Sequence, residues 1–125
     1  MNNTTPHIQR QATRQLSDEA LQLIVTRLRV LAEPTRIRLL EHLNSNDATV
    51  QTLADLIGTT RQNVSKHLGV LHQAGMLSRR RDGTSIYYSL VDWSGWWLVE
   101  QIGASVTAHL DELRQAFDAP PPRLR

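Results

Sequence analysis

Between Thr49 and Gly75 the chain reads TVQTLADLIGTTRQNVSKHLGVLHQAG, two short segments of helical apolar spacing broken at Gly58 and stopped at Gly75. The first places Leu53, Ala54 and Ile57 on one side, and the second does the same with Val64, Leu68 and Leu71. Residues three and four apart share a face of a helix, so each segment predicts one buried stripe. Thr49 suits the N-cap of a helix over 50 to 57, and Thr59 or Thr60 that of the next. A threonine hydroxyl there accepts a bond from a first-turn N–H that has no partner within the helix. Gly75 is a natural left-handed C-cap. Two helices joined by about three residues, with a glycine in the joint, match a helix-turn-helix. Many small helical proteins contain such a turn, so its neighbours decide what it means.

Directly after it comes MLSRRRDGTSIYYSL, two β-prone runs around Asp82-Gly83 with Ile86, Tyr88 and Leu90 alternating. That is a hairpin signal, and a hairpin following a helix-turn-helix is a winged-helix arrangement. Upstream, Ser17 caps a helix whose first turn carries Asp18 and Glu19, acids that complement the positive end of its dipole. Leu21, Ile24, Val25, Leu28 and Leu31 then form a continuous stripe. EPTRIRLLEHL restarts the helix, with Pro34 in a tolerated first-turn position and Ile37, Leu40 and Leu43 facing inward. NSNDAT reads as a polar loop. Residues 92 to 117 read as one long helix striped by Trp93, Trp97, Ile102, Val106, Leu110 and Leu113. The expected architecture is mainly α with a small β-hairpin wing, one domain over 16–117, a flexible arm over 1–15 and a disordered tail over 118–125.

A chain of 125 residues is one domain's worth, enough for a single small core. The net charge of +2 identifies no partner, but its distribution is informative. Residues 56 to 81 hold Arg61, Lys66, Arg79, Arg80 and Arg81 with no acid, whereas Asp92, Glu100, Asp111, Glu112 and Asp118 lie in the last helix segment. One face is thereby suited to a polyanion and another to something else. The absence of cysteine excludes disulfides and thiolate metal ligands. The polar N-terminus lacks an apolar signal core and no apolar run reaches membrane-spanning length, so a cytoplasmic protein without a membrane partner is expected. No nucleophile–base pair or phosphate-cradling glycine loop is present, and one small core leaves little room for a pocket, so an enzyme is not expected.

The segments LAEPTRIRLLEHL, LADLIGTTRQNVSKHLGVLHQAGML and RRDGTSIYYSL together resemble the ArsR/SmtB family of winged-helix repressors. The most specific part is Val-Ser-x-His-Leu-x-x-Leu-x-x-Ala-Gly followed by a hydrophobic residue. The resemblance covers about half the chain, and the flanking helices fit the family's order. It implies a homodimer paired through the first and last helices, and a recognition helix in the DNA major groove. It also implies release from an operator when an effector binds.

The residues support a DNA-facing helix independently. Gln62, Lys66, Gly69 and Gln73 point away from the stripe of Val64, Leu68 and Leu71, with Arg61 and Ser65 flanking the first turn. Arg and Lys pair with guanine N7 and O6, Gln with adenine N6 and N7, and Ser with several base edges. By the resemblance, Arg61, Gln62, Ser65 and Lys66 fall on base-reading positions. Thr59, Thr60 and the N-terminal amides suit a phosphate. The bland alternative, a solvated helix face, sits poorly with a stretch that holds no acid. Asn63 and His67 lie at the edge of the buried side and read as structural. Arg79, Arg80 and Arg81 before the wing tip suit phosphates or a narrow minor groove, against the alternative of a charged edge strand that resists aggregation. A winged-helix module that docks proteins without specific DNA binding is the alternative function.

The effector is less legible. Thr49 and Gln51 stand where the family's cysteine pair would be. Of the family's site on the last helix, Asp92 and a His-x-x-Glu pair, His109 and Glu112, are present, but Ser94 replaces the early histidine and His109 lies about one helical turn too far along. A dimer joining Asp92 of one subunit to His109 and Glu112 of the other would offer four-coordinate, zinc-like chemistry. Trp93, Trp96 and Trp97 share the start of that helix, either as core and dimer packing or as an aromatic wall for a small apolar effector between the subunits. No effector at all is the third reading.

Overall fold

The computed structural model describes residues 15–118 and residue 120. The arm expected over 1–15 and the tail expected over 118–125 lie almost wholly outside those residues. The described chain runs α1 (Asp18–Leu31), α2 (Pro34–Leu43), β1 (Ala48–Thr49), α3 (Val50–Ile57), α4 (Arg61–Gln73), β2 (Leu77–Asp82), β3 (Ser85–Leu90) and α5 (Ser94–Asp118).

Local chemistry sets most boundaries. Ser17 Oγ accepts the N–H of Ala20 at 3.1 Å, Thr49 Oγ1 that of Thr52 at 3.2 Å, and Thr60 Oγ1 that of Asn63 at 3.1 Å. Each thereby satisfies a first-turn donor. Gly58 and Gly75 both sit at φ 79°, the left-handed conformation that ends a helix with little strain only in a residue lacking Cβ. Gly83 at φ 64°, followed by a residue of negative φ, gives the wing the sign pattern of a type II′ turn.

The core lies where α2, α3 and α4 meet the base of the sheet. Leu39, Leu53, Val64, Leu68 and Leu71 are fully buried there, with Leu40, Leu43, Met76, Leu77 and Tyr88 around them. Burial of a leucine contributes on the order of 2 kcal/mol, so this cluster holds α4 firmly from beneath. Gly95 brings the start of α5 onto the same core: a Cβ there would stand 3.1 Å from Leu31 Cδ2 and 3.5 Å from Met76 Cε.

Two expectations need correction. The run read as a loop ends in β1, which pairs antiparallel with β3 (Ala48↔Tyr88, Thr49↔Tyr87), so the sheet order is β1-β3-β2. Two residues carry no strand periodicity, and only the approach of β3 creates the pairing. In α2 the buried residues are Leu39, Leu40 and Leu43, while Ile37 is half-buried. Ile37 lines a groove of about 350 Å³ with Leu28, Leu31, Leu98, Ile102 and Val106, between α1 and α5. The apolar stripes of α1 and α5 lie largely on the protomer surface, on the helices through which the resemblance expects two subunits to pair. Leu21, Ile24, Val25 and Leu28 are exposed, as is every residue from Gln101 to Asp118.

Candidate nucleic-acid interface

Helix α4 presents two chemically distinct sides. Val64, Leu68 and Leu71 are 0% exposed, and Arg61, Gln62, Ser65, Lys66, Gly69 and Gln73 all face outward. Among the described residues neither Arg61 nor Lys66 has a carboxylate within ion-pair distance. Their charges are therefore uncompensated. Asn63 and His67 are structural, as their edge positions predict. Asn63 Nδ2 donates to Thr59 Oγ1 at 3.2 Å, and His67 is 7% exposed with Nδ1 3.2 Å from Arg36 Nη1. Thr59 and Thr60 both accept from Asn63, and a hydroxyl that accepts one bond keeps its own proton to donate outward.

The wing lies beside this helix. Thr49, Val50 and Gln51 from the start of α3, Arg61 from α4, and Thr84, Ser85 and Ile86 from the wing tip line an open groove of about 300 Å³. Arg61 thus places the first turn of α4 beside the wing tip. Sequence reasoning did not bring Gln51, Thr84 and Ser85 to this groove, although the Asp-Gly-Thr-Ser turn signalled where the last two would project.

The three wing arginines are exposed but not equivalent. Arg79 pairs across the sheet with Tyr88 and Arg81 with Ile86, whereas Arg80 pairs with Tyr87. Opposed residues share a face and successive ones alternate, so Arg80 points away from the other two. Its guanidinium carbon lies 4.7 Å from the Tyr87 ring centroid, and its nitrogens lie 3.9 Å from Asp47 and from Asp82. Arg80 is partly neutralised; Arg79 and Arg81 have no carboxylate within ion-pair distance among the described residues.

The tryptophans do not make one wall within the protomer. Trp96 is half-buried against the core with its indole N–H buried and without a hydrogen-bond partner among the described residues, while Trp93 and Trp97 are 50% and 60% exposed. Asp92 Oδ1 accepts from the Ser94 N–H at 3.0 Å and the Ser94 hydroxyl at 2.7 Å, and its Oδ2 meets Arg27 at 3.2 Å. The Ser94 hydroxyl and amide hold its carboxyl below the ordinary value, with Arg27 assisting and burial opposing. His109 lies about 25 Å farther along the helix at a rise of 1.5 Å per residue. Within one subunit Asp92, His109 and Glu112 do not converge, and Asp92 is already engaged by Ser94 and Arg27, so a single subunit does not present this set to a metal ion. No grouping of three potential ligands occurs among the described residues.

The family comparisons agree with this geometry. Residues 31–80 match the family model of a helix-turn-helix domain. The biofilm growth-associated repressor of Xylella fastidiosa is 31% identical over 90 residues, which cover 72% of this chain and 75% of that protein. The chain belongs to the ArsR/SmtB family. Another ArsR/SmtB-like relative is KmtR, an HTH-type transcriptional regulator of Mycobacterium tuberculosis, 39% identical over 75 residues and 60% of this chain. This chain spans a little over half of KmtR, 58% of its length. The crystal structure of the antimony-specific transcriptional repressor AntR superposes with a TM-score of 0.71 at 26% identity, over 90% of this chain and 98% of that one. The ArsR/SmtB family consists of DNA-binding regulators, not enzymes. No helix among the described residues is long and apolar enough to cross a membrane.

Proposed function

We propose that this ArsR/SmtB member is a homodimeric, sequence-specific DNA-binding repressor, acting in the cytoplasm on a roughly palindromic operator. One observation carries the reading: α4 is anchored by a fully buried apolar side and turns an acid-free side of hydrogen-bond donors to solvent. In this reading Arg61, Gln62, Ser65 and Lys66 read base edges in the major groove. Thr59, Thr60, Arg79 and Arg81 bind phosphates, and Arg80 adds a weaker contact because Asp47 and Asp82 flank it. The exposed stripes of α1 and α5, with Trp93 and Trp97, pair the two subunits. That arrangement would set two α4 helices about one turn of DNA apart.

Selection of duplexes from a random pool by the full chain, followed by footprinting, tests this. The expected product is an inverted repeat with half-sites roughly 10 base pairs apart, centre to centre. Salt-sensitive binding that selects no sequence would instead favour a protein-docking module with an incidental basic face. An effector of the metal class is in keeping with the antimony specificity for which AntR is named. The finer assignment, zinc on Asp92 of one subunit and His109 and Glu112 of the other, would require two subunits and the release of Asp92 from Arg27. Zinc should then raise the melting temperature of the wild-type dimer and leave His109→Ala unmoved.

A further inference from the structure

One partly buried polar assembly is not used by the DNA-reading surface itself. Glu33, in the joint between α1 and α2, accepts the N–H of Arg36 on Oε2 at 2.8 Å. Arg36 donates through Nε to the Val30 carbonyl at 2.5 Å and through Nη2 to that of Arg29 at 3.5 Å, both in the last turn of α1. Its remaining nitrogen, Nη1, lies 3.2 Å from Nδ1 of His67. His67 stands in the middle of α4, two residues after Ser65 and one after Lys66, and among the described residues it is the one buried polar or charged side chain. One side chain thus ties the end of a helix with an exposed apolar stripe to the helix with the donor-rich face.

The chemistry of the contact dictates its protonation state. A guanidinium has donors only, so the Arg36–His67 contact is a hydrogen bond only when Nδ1 is unprotonated and the ring proton sits on Nε2. A proton on Nδ1 would set donor against donor and cation against cation. It would also find a waiting acceptor, because Glu33 Oε2 lies 3.7 Å from that nitrogen. Among the described residues these two are the ionisable side chains in contact with the ring, and Arg38, Glu41 and His42, also on α2, make no hydrogen bond or ion pair with it. Asp55 of α3 and Arg79, Arg80, Arg81 and Asp82 of β2, the other elements packed on α4, make no ion pair with it.

We propose that Glu33, Arg36 and His67 form a proton-responsive joint that sets how α4 is seated relative to α1. With His67 neutral, Arg36 bridges the carbonyls of α1 to α4. With His67 protonated, Nδ1–H exchanges Arg36 for Glu33, and the bridge to α1 opens while α4 stays anchored by its leucines. Its consequence for DNA rests on the reading given under Proposed function: opening the joint weakens operator binding, and these three act as positioning residues that touch no base.

The test uses the full chain. Ring ¹⁵N signals of His67 should show the Nε2–H form at neutral pH. As the ring is titrated from the neutral to the protonated form, followed by its own ¹⁵N signals, the amides of residues 61–68 should shift with it. Arg36→Gln and His67→Asn, the latter offering an acceptor that does not titrate, should abolish that shift. If either variant fails to fold, Glu33→Gln, which removes only the second acceptor's charge, should still alter the midpoint. A ring carrying its proton on Nδ1 at neutral pH, or α4 amides that ignore the titration, overturns the joint. In parallel, the duplex selected by the wild type should bind about tenfold more weakly once the ring is protonated, a coupling of ordinary allosteric size, and His67→Asn should not show this loss. Amide shifts without any sequence-selective binding at either pH support the joint and refute the DNA reading alone. Sequence-selective binding that is indifferent to the ring's titration refutes the joint's role in seating α4.

Discussion

Replacing Gln62 by Ala separates sequence reading from simple charge attraction. Gln62 is exposed on the outer side of α4 and makes no side-chain hydrogen bond among the described residues. Its loss should therefore change fold stability by less than about 0.5 kcal/mol, with alanine the slightly better helix former. A bidentate contact to a base contributes about 1–3 kcal/mol of discrimination. A symmetric dimer makes the contact twice, so about 2–6 kcal/mol of specificity is at stake, roughly 30-fold to 10⁴-fold at 1.4 kcal/mol per decade. Glutamine is neutral, so the slope of log K against log salt should not move. Fluorescence anisotropy with the selected duplex and a scrambled one, from about 50 to 200 mM salt, measures both quantities. Losses of equal size on the two duplexes, or an unchanged ratio, would refute the assignment of α4 as the reading helix.

Other outcomes follow from the same geometry. Arg79→Ala or Arg81→Ala should weaken both duplexes alike and lower the salt slope by about 0.9 per lost phosphate contact. Arg80→Ala should do the same to a smaller extent, since Asp47 and Asp82 each lie 3.9 Å from its guanidinium. Val106→Glu puts a charge into the exposed stripe of α5 without touching the protomer core, and sedimentation equilibrium should show a folded monomer at concentrations where the wild type is a dimer. Asp92→Ala removes the acceptor for Ser94 at the start of α5 and should lower stability by about 1 kcal/mol in urea melts at neutral pH. Because the folded Asp92 carboxyl titrates below its ordinary value, its contribution is complete above that value. The difference from the variant should shrink as pH falls through the folded-state value.

What the sequence determined by itself was everything local. Helical spacing of Leu53, Val64, Leu68 and Leu71, threonines that cap, and glycines forced to positive φ specify α3, α4 and their joint within a few residues. The same periodicity that buries Val64 sends Gln62 and Lys66 outward, so the candidate reading surface was legible before any tertiary structure. Strand alternation gave the hairpin but not the division of its arginines, because which face meets Asp47 depends on a segment more than thirty residues upstream. Only the tertiary structure decided that β1 exists, that Trp96 turns inward while Trp93 and Trp97 do not, and that Glu33 and Arg36 reach His67. The physical reason is common to these cases. Backbone capping and amphipathic spacing act between near neighbours in the chain, whereas a strand partner, a buried indole or a guanidinium bridge is defined by residues that only packing brings together.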